Sequence, residues 1–451
     1  MNIQTQRRID RWVGQWLCAA VSVWARLVGR PGQASATAPA TAARPVRHIL
    51  VIMLSEMGSM VLAGPMFALL RQRYPHATVH VLQLKKNQQV ATLLRITAPE
   101  HLHALDDSTL FTLLASLWRV TRQLRALPVD AVIDCELFSR ISALLAYGSG
   151  APRLSGFTPH TQEGLYRGSF MNRAIPYNPY RHISQQFVAL VDALQDPADS
   201  PTLPRSKWSL LHTLPEDSGL RVDFEPAELQ AFGERLRADF AQTAGRQLTL
   251  VYASGGILPE RAWPEAHYVT LVRGLCAAGH VVGLIGLPED KPLAQRISAL
   301  ANRDTGADAD TPLCIDLTGY TRSIRELLML FHQGSLLVTN DGGPGHFASL
   351  TPIPTFMFFG PETSRLYGPL SRRTTVFDLA LPCSPCLSAY NHRQTFCDGD
   401  NQCLKRIDPA QVLALALSEL ATGTPPAPPA PPAPPALPGL AALALDGTKA
   451  G

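Results

Sequence analysis

The sequence predicts an α/β protein that contains two parallel β-sheets in tandem. Strand-like and helix-like hydrophobic patterns alternate along most of the chain, which is typical of parallel strands joined by helices. The 451 residues are too many for one ordinary core and enough for two domains. The periodicity weakens between about residues 150 and 245 and restarts at residue 248. We therefore expect a domain linker in that region, with one sheet on each side of it.

The bulk composition is that of a globular protein. Hydrophobic residues make up 46% of the chain and charged residues 17%. The formal net charge of +4 does not mark a general nucleic-acid binder, so we expect no nucleic-acid partner. No uninterrupted apolar run reaches the roughly 18 residues that a membrane-spanning helix needs.

Residues 1–30 predict a basic amphipathic helix. Against one acid, Asp10, this segment holds five arginines: Arg7, Arg8, Arg11, Arg26 and Arg30. The part between Arg11 and Arg26 is uncharged and contains three tryptophans. A basic helix with several tryptophans suits the surface of a membrane better than its interior. The alternatives are a signal peptide and a helix that packs on the protein's own surface.

Two further segments are not expected to join a core. Residues 31–45 are rich in small residues and proline, and they predict a flexible linker. Residues 422–451 are rich in proline and alanine, and they predict a disordered, polyproline-like tail. The folded body therefore lies between these two segments.

The first sheet is predicted within an N-terminal domain of residues 46–205. Its strands and helices are indicated by a series of short patterned segments: a strand at 48–54, a helix at 61–75, a strand at 78–84, a helix at 109–126 and a strand at 130–135. Apolar runs of strand length between polar breaks indicate strands that are buried on both faces.

The second sheet is predicted within a C-terminal domain of residues 206–375. The pattern begins with a strand at 248 and continues with a helix at 265–278, a strand at 280–286, helices at 290–302 and 323–334, and strands at 335–340 and 354–360. Both sheets are of the Rossmann kind. In such folds ligands bind at the carboxyl ends of the strands, and we expect a cleft between the two domains.

The turn after the strand at 335–340 carries the most chemical information. Asp341, Gly342 and Gly343 follow the strand, and His346 falls in the first turn of the next helix. Glycines at such a bend expose amide groups, and these favour an anion such as phosphate together with the helix dipole. His346 could then donate a hydrogen bond to a phosphate oxygen. The alternative is an ordinary strand-to-helix turn with a solvent-facing histidine.

This turn and the segment after it resemble the signature of glycosyltransferase family 9, the bacterial heptosyltransferases. The matching positions share the order Asp-Gly-Gly-x-x-His-x-Ala, then Phe-Gly-Pro, then Gly-Pro, and they are Asp341, Gly342, Gly343, His346, Ala348, Phe359, Gly360, Pro361, Gly368 and Pro369. The resemblance covers roughly residues 47–420. It implies a GT-B architecture, in which two Rossmann-like domains face each other across a cleft.

The resemblance also implies a function. The C-terminal domain would hold a nucleotide-activated sugar, typically an ADP-sugar, and the N-terminal domain a glycolipid acceptor such as lipopolysaccharide core. The reaction would invert the anomeric carbon and need no metal or other cofactor. The protein would be cytoplasmic, and its basic N-terminal helix would contact the inner face of the inner membrane. The alternatives are a non-catalytic sugar-nucleotide or glycan-binding protein and a sugar-nucleotide epimerase.

The resemblance assigns donor-binding roles residue by residue. Four residues of the glycine-rich turn would line the donor diphosphate and sugar: Asp341, Gly342, Gly343 and His346. Arg261 stands where the family commonly has a lysine that touches phosphate, and arginine can bind phosphate in bidentate fashion. Ser254 and Gly255 would face the phosphates. Glu289 would accept hydrogen bonds from the nucleotide ribose, or it is a solvated acid at a helix start.

The segment "LSEMGSMVLAGP", residues 54–65, departs from the family pattern. The family has Gly-Asp here, and that aspartate is the proposed catalytic base. In this chain the glycine is Gly58 and the next residue is Ser59, whose hydroxyl is far too weakly basic. Glu56 lies three residues earlier and could supply the carboxylate. The alternatives are a protein that binds without turnover, and a turn in which Ser59 is only a helix N-cap.

Residues 376–421 combine a cysteine-rich segment with a final helix. The cysteines follow the spacing C-x2-C, ten residues, C, five residues, C, and they are Cys383, Cys386, Cys397 and Cys403. Four thiolates within such a short segment can form a tetrahedral structural zinc site. Iron–sulfur ligation, reduced thiols and disulfides are the alternatives. The helix at 406–420 could pack back on the N-terminal domain.

Overall fold

The computed structural model describes most of the folded body and part of the N-terminal segment. The described residues are 3–28, 45–54, 57–158, 166–195, 203–256, 258–303, 312–388, 397 and 400–422. The predicted candidate base, Glu56, lies outside them. So do residues 29–44, which make up nearly all of the predicted linker, and residues 423–451 of the predicted tail.

The N-terminal domain alternates strands and helices as the sequence predicts. Its elements are α1 (Ile3–Leu27), β1 (His48–Ile52), α2 (Met57–Leu62), α3 (Gly64–Arg73), β2 (Thr78–Leu84), α4 (Gln88–Leu93), β3 (Leu102–Leu105), α5 (Leu110–Ala126), β4 (Ala131–Asp134), α6 (Arg140–Gly148), β5 (Arg153–Gly156) and α7 (Ile183–Asp192). The predicted helix at 61–75 is observed as two helices, and Pro65 falls in the first turn of the second, where proline is tolerated.

The strands of this domain form a five-stranded parallel sheet in the order β3-β2-β1-β4-β5. The chain builds outward from β1 in one direction to β3 and then crosses back to β4. The strand order therefore reverses between β1 and β4, and the carboxyl ends of these two strands form the crevice in which doubly wound sheets bind ligands.

The C-terminal domain repeats this plan. Its elements are α8 (Pro226–Asp239), β6 (Leu248–Tyr252), α9 (Glu265–Ala277), β7 (Val281–Gly286), α10 (Lys291–Asn302), β8 (Cys314–Thr318), α11 (Ile324–Gln333), β9 (Leu336–Asn340), α12 (Gly343–Ala348), β10 (Thr355–Phe359), α13 (Ser364–Tyr367), β11 (Thr374–Asp378), α14 (Gln402–Lys405) and α15 (Pro409–Thr422). The parallel sheet has the order β11-β10-β9-β6-β7-β8. Its crevice lies at the carboxyl ends of β6 and β9, where the glycine-rich turn begins.

The structure shows two Rossmann-like domains, as the sequence predicts. The stretch from 150 to 245, where the sequence pattern is weak, contains β5, α7 and α8. All ten residues of α7 are buried, so this helix has no polar stripe for a periodicity analysis to detect.

The final helix, α15, packs against α9 of its own domain, and not on the N-terminal domain as expected. The Leu413 side chain of α15 fills the space beside Gly274 of α9, where a Cβ atom would come within 2.2 Å of it. The absent side chain at Gly274 therefore lets the two helices approach closely. Within the described residues, no helix is long and apolar enough to cross a membrane.

Candidate active site

The amide side chain of Asn340 connects the two strand ends at the crevice of the C-terminal domain. From the end of β9, its Nδ2 donates hydrogen bonds to the carbonyl oxygens of Ala253 and Ser254, at 3.2 and 3.1 Å. Its Oδ1 accepts from the backbone N–H of Trp263 and the hydroxyl of Tyr268, at 2.9 and 2.8 Å. The side chain is buried and fully hydrogen-bonded, so it fixes the loop after β6 against β9. The sequence analysis did not select Asn340.

The loop after β6 contains the predicted phosphate-facing residues. The Ser254 hydroxyl accepts a hydrogen bond from the backbone N–H of Gly256 at 3.0 Å, which tightens the turn. A Cβ atom at Gly255 would lie 2.5 Å from the carbonyl oxygen of Leu258. Only glycine fits at that position. The structure therefore places Ser254 and Gly255 beside the glycine-rich turn, and their role toward phosphate stays a prediction.

The glycine-rich turn leads from β9 into the six-residue helix α12. Asp341 is buried at its start, and Gly342 and Gly343 form the bend into the helix. Gly345 lets α12 lie close to β10, because a Cβ atom there would be 2.7 Å from the sulfur of Met357. His346 is 6% exposed, so the alternative of a solvent-facing histidine is wrong.

Arg261 is buried between two carboxylates of the C-terminal domain. Its Nη2 lies 2.8 Å from an oxygen of Glu362, and its Nε lies 3.6 Å from an oxygen of Asp341. All three side chains are less than 8% exposed. The guanidinium therefore holds the loops after β9 and β10 together. Glu362 was not predicted from the sequence, although it follows the Phe-Gly-Pro segment directly.

Glu289 does not lie in a buried site. It is exposed in a short turn after β7. Its neighbour Asp290 accepts a hydrogen bond from the backbone N–H of Leu287 at 2.9 Å. Burial raises the pKa of the Tyr252 hydroxyl, and the charge of Asp290 raises it further, which places Asp290 on the β6 side of the turn. The predicted ribose contact of Glu289 stays a prediction.

The turn in which the sequence predicts the catalytic base, within residues 54–65, follows β1. The last described residue before the gap, Leu54, donates its backbone N–H to Oε1 of Glu136 at 2.7 Å. Glu56 falls in the gap, and α2 begins directly after it at Met57. Ser59 is thus the third residue of α2 and half-buried, so the alternative in which it serves as the N-cap is wrong.

A buried polar network lies under this turn. Arg167 donates hydrogen bonds to a carboxylate oxygen of Asp134, the hydroxyl of Ser142 and the carbonyl oxygen of Glu136. Burial raises the pKa of Asp134 to about 6, and the Arg167 charge opposes that rise. The network fixes the carboxyl end of β4, and through Glu136 it fixes the end of β1. Glu136 was not predicted from the sequence. It could have been, because it is an acidic residue directly after an apolar strand.

The turn after β1 and the helix α12 touch across the two domains. A Cβ atom at Gly58 would lie 2.7 Å from Cδ2 of His346, closer than real Cβ contacts come. Helices α2 and α12 therefore pack directly against each other. Gly58 permits this close approach between the turn after β1 and the glycine-rich turn.

We expect that replacing Gly58 with alanine pushes α2 and α12 apart. The added methyl group must displace His346, and a misplacement of about 1 Å at a reaction centre can cost roughly 100-fold in rate. The expected result is a kcat/KM about 10- to 100-fold lower, measured as sugar transfer. Gly148→Ala is the matched control, because nothing lies within 4 Å of a Cβ atom there. Equal rates for the two variants would show that the contact is not needed.

A second contact between the domains involves His182 at the start of α7. Its Nδ1 accepts a hydrogen bond from the backbone N–H of Ser184, so the proton lies on Nε2. That Nε2–H donates to the carbonyl oxygen of Gly368 at 2.9 Å. Burial lowers the pKa of His182 to about 4, so the ring is neutral at pH 7.

We expect stability to fall as the pH drops from 7 to 5. The pKa values of His80 and His182 are lowered by burial from 6.5 to about 4, so the unfolded chain binds protons that the folded chain does not. The two neutral histidines make their full contribution to the free energy of unfolding above pH 6.5, and this contribution is lost between pH 6.5 and pH 4. Urea unfolding should show a loss of roughly 2 kcal/mol per histidine at pH 5. A His182→Gln variant should lose less than the wild type, and an equal loss would contradict the assignment.

The four clustered cysteines differ in exposure. Cys383 and Cys397 are exposed, Cys386 is half-buried and Cys403 is buried. Burial raises the pKa of Cys403 to about 11, and the charges of the other three cysteines add to that rise. All eight cysteines are described, and each is a free thiol in the structure.

No group of three potential ligands among the described residues is arranged to hold a metal. Residues 389–396, which connect two of the clustered cysteines, lie outside that part of the chain. Four sulfurs remain a suitable donor set for zinc. The structural zinc site therefore stays a prediction.

The chain is similar to proteins of one family, both by sequence and by structure. A model of "Glycosyltransferase family 9 (heptosyltransferase)" matches residues 117–396. Lipopolysaccharide heptosyltransferase 2 of Salmonella typhimurium is 24% identical over 340 residues, which are 73% of this chain and 88% of that protein. Lipooligosaccharide heptosyltransferase 2 of Haemophilus influenzae is 30% identical over 121 residues, 27% of this chain and a third (33%) of that protein's length.

The solved structures agree as well. The structure of E. coli ADP-heptose lps heptosyltransferase II matches with a TM-score of 0.59 and 20% identity, over 83% of this chain and 99% of that chain. This likeness confirms the GT-B fold. The family match extends over more than half of the chain and includes both the glycine-rich turn and Arg261. The chain therefore belongs to glycosyltransferase family 9, and it is a glycosyltransferase.

Proposed function

We propose that the protein transfers a heptose from ADP-heptose to a lipopolysaccharide-type glycolipid, with inversion at the anomeric carbon and without a catalytic metal. The observation that carries this proposal is the contact between Gly58 and His346, because the turn after β1 and the glycine-rich turn, the proposed acceptor and donor sides, meet there. The names of the similar proteins support the donor and the acceptor.

In the proposed reaction the Glu56 carboxylate takes the proton of an acceptor hydroxyl. The hydroxyl oxygen forms a bond to the anomeric carbon while the bond from that carbon to the ADP oxygen breaks, and ADP leaves with the electron pair. Developing charge on the diphosphate would be stabilised by the backbone amides of Gly342 and Gly343 and by His346. Arg261 already pairs with Asp341 and Glu362, so its first task is to position the loop that carries Asp341.

Glu136 is a second candidate for the base. It is 8% exposed at the carboxyl end of β4, and it is hydrogen-bonded to the backbone two residues before Glu56. That bond favours a positioning role, because one of its oxygens is already committed to Leu54. Glutamine at position 136 could still accept from Leu54, so a Glu136→Gln variant should keep most of the rate if Glu136 only positions the turn.

The alternative function is a sugar-nucleotide or glycan-binding protein, and Ser59 in place of the family aspartate favours it. The two functions are separated by incubating the protein with ADP-, UDP- or GDP-linked sugars and heptose-deficient lipopolysaccharide. We expect ADP release from ADP-heptose that depends on the acceptor. Bound nucleotide without acceptor-dependent release would support the binding role instead.

We further propose that the four clustered cysteines hold one structural zinc ion. The purified protein should contain about one zinc per chain by metal analysis, and Cys386→Ser with Cys403→Ser should remove it. Because the zinc site would stabilise the fold without contacting the substrates, zinc removal should lower the melting temperature. The affinity for ADP should stay within a few-fold of that of the zinc-bound protein. Metal-free protein with eight titratable thiols would contradict the site, and iron would favour the iron–sulfur alternative.

We also propose that the protein contacts the inner membrane surface through α1. The structure sharpens how this must be tested. Asp10 of α1 accepts hydrogen bonds from the backbone N–H groups of Arg140 and Ile141 at the start of α6, and Cys18 is fully buried beside them. Deleting residues 1–30 would therefore uncover α6 and destabilise the domain. Substitutions on the outer side of the helix are the cleaner test.

A further inference from the structure

Helix α5 carries an exposed apolar stripe that no described part of the chain covers. Phe111, Leu114 and Trp118 are 81%, 57% and 67% exposed. Their spacing of three and four residues places them on one side of the helix. Three large apolar side chains with this exposure on one helix form a patch of the kind that marks an interaction site.

Helix α1 presents a similar surface on the same side of the N-terminal sheet. Trp12, Trp16 and Trp24 are 68%, 77% and 59% exposed. The inner sides of α1, α5 and α6 share one buried cluster that includes Cys18, Val120 and Ala143. The three helices therefore cover one face of the sheet, and the outer sides of α1 and α5 point away from it.

Helix α6 lies between the other two. Asp10 of α1 binds the start of α6, and Arg125 of α5 donates from Nε to the carbonyl oxygen of Gly148 at its end, at 3.1 Å. The opposite face of the sheet is packed with α2, α3 and α7. The apolar side chains of α1 and α5 thus belong to one broad outer face of the domain, away from the second domain.

The charges on this face are of one sign. Helix α5 contains Arg119, Arg122 and Arg125, all exposed, and no acid. On α1, Arg11 and Arg26 are exposed, while the single acid, Asp10, is engaged with α6. Two copies of the chain meeting at this face would bring positive surfaces together. A bilayer with anionic headgroups complements it in both charge and apolar character.

We propose that α1 and α5 together form one docking face for a membrane surface that contains anionic lipid. The tryptophan and phenylalanine side chains enter the boundary between headgroups and acyl chains, and the arginines contact the phosphates. The proposal extends the α1 contact to a second helix that the sequence analysis did not connect with membranes. It rests on the proposed function only in that the glycolipid acceptor resides in such a membrane.

The test is co-sedimentation of the full chain with vesicles of phosphatidylcholine, with or without phosphatidylglycerol. We expect binding to the mixed vesicles that weakens as salt is raised. The double variant Phe111→Ser with Trp118→Ser should bind at least 10-fold more weakly, and so should Arg119→Gln with Arg122→Gln. Leu287→Ser is the matched control, because Leu287 is 65% exposed in the other domain.

The readouts separate this proposal from the proposed reaction. The α5 variants should keep the wild-type melting temperature and ADP affinity, since α5 lies outside the cleft. Vesicle binding by the Phe111/Trp118 variant equal to that of Leu287→Ser would overturn the proposal. Size-exclusion chromatography without vesicles gives the other decisive outcome: a wild-type dimer that this variant converts to monomer would assign the face to a second copy instead.

Discussion

Replacing Glu56 with glutamine is expected to lower kcat for sugar transfer by roughly 10²- to 10⁴-fold, the range found for loss of a general base. Glutamine has nearly the same shape but cannot take the proton of an acceptor hydroxyl. The affinity for ADP should stay within about threefold, because the proposed donor contacts lie on the other domain. Steady-state transfer rates and calorimetric ADP titration measure the two quantities.

Two matched variants make this prediction sharp. Ser59→Ala should keep the rate within a few-fold, because Ser59 lies inside α2 and is not the base. Glu136→Gln should also keep most of the rate, since glutamine preserves the acceptor for the Leu54 N–H. If Glu56→Gln retained the wild-type rate while Glu136→Gln lost it, the base would have to be assigned to Glu136.

Replacing Arg261 with alanine is expected to lower the free energy of unfolding by about 3–5 kcal/mol. Its guanidinium lies between Glu362 and Asp341, and removing one partner of a buried ion pair leaves uncompensated charge. The loop that carries Asp341 should also lose its position, so ADP binding should weaken. Urea unfolding and ADP titration on the same preparation would measure both effects.

The control for this prediction is Arg261→Lys, the residue that the family commonly has. Lysine keeps the positive charge but cannot contact both carboxylates with the geometry of a guanidinium. We expect an intermediate loss of stability and ADP affinity closer to wild type. A loss below 1 kcal/mol for Arg261→Ala would show that the two carboxylates are neutral or solvated in the folded protein.

The sequence predicted the regular part of the fold well. Strand β2 was predicted at its observed bounds, and helix α5 within one residue, because apolar runs and amphipathic periods leave clear patterns. Helix α7 was missed because burial on all sides removes the polar stripe. The docking of α15 on α9 was also missed, since it depends on the missing side chain of Gly274 and not on the pattern of α15 itself.

The candidate site was predicted in part. The glycine-rich turn was recognisable because its residues are adjacent in the chain. Asn340, Glu362 and Glu136 were not, because each acts on partners that only the fold brings near, such as Ser254 for Asn340. The contact of Gly58 with His346 spans the two domains, and no local pattern could have indicated it.

We propose that the facing turns of the two domains form one transferase site. Mass spectrometry of heptose-deficient lipopolysaccharide after incubation with ADP-heptose and the protein tests it most directly. We expect that the acceptor gains one heptose for each ADP released, and that Glu56→Gln slows both by roughly 10²- to 10⁴-fold. An acceptor of unchanged mass, with ADP-heptose bound and intact on the wild-type protein, would contradict it.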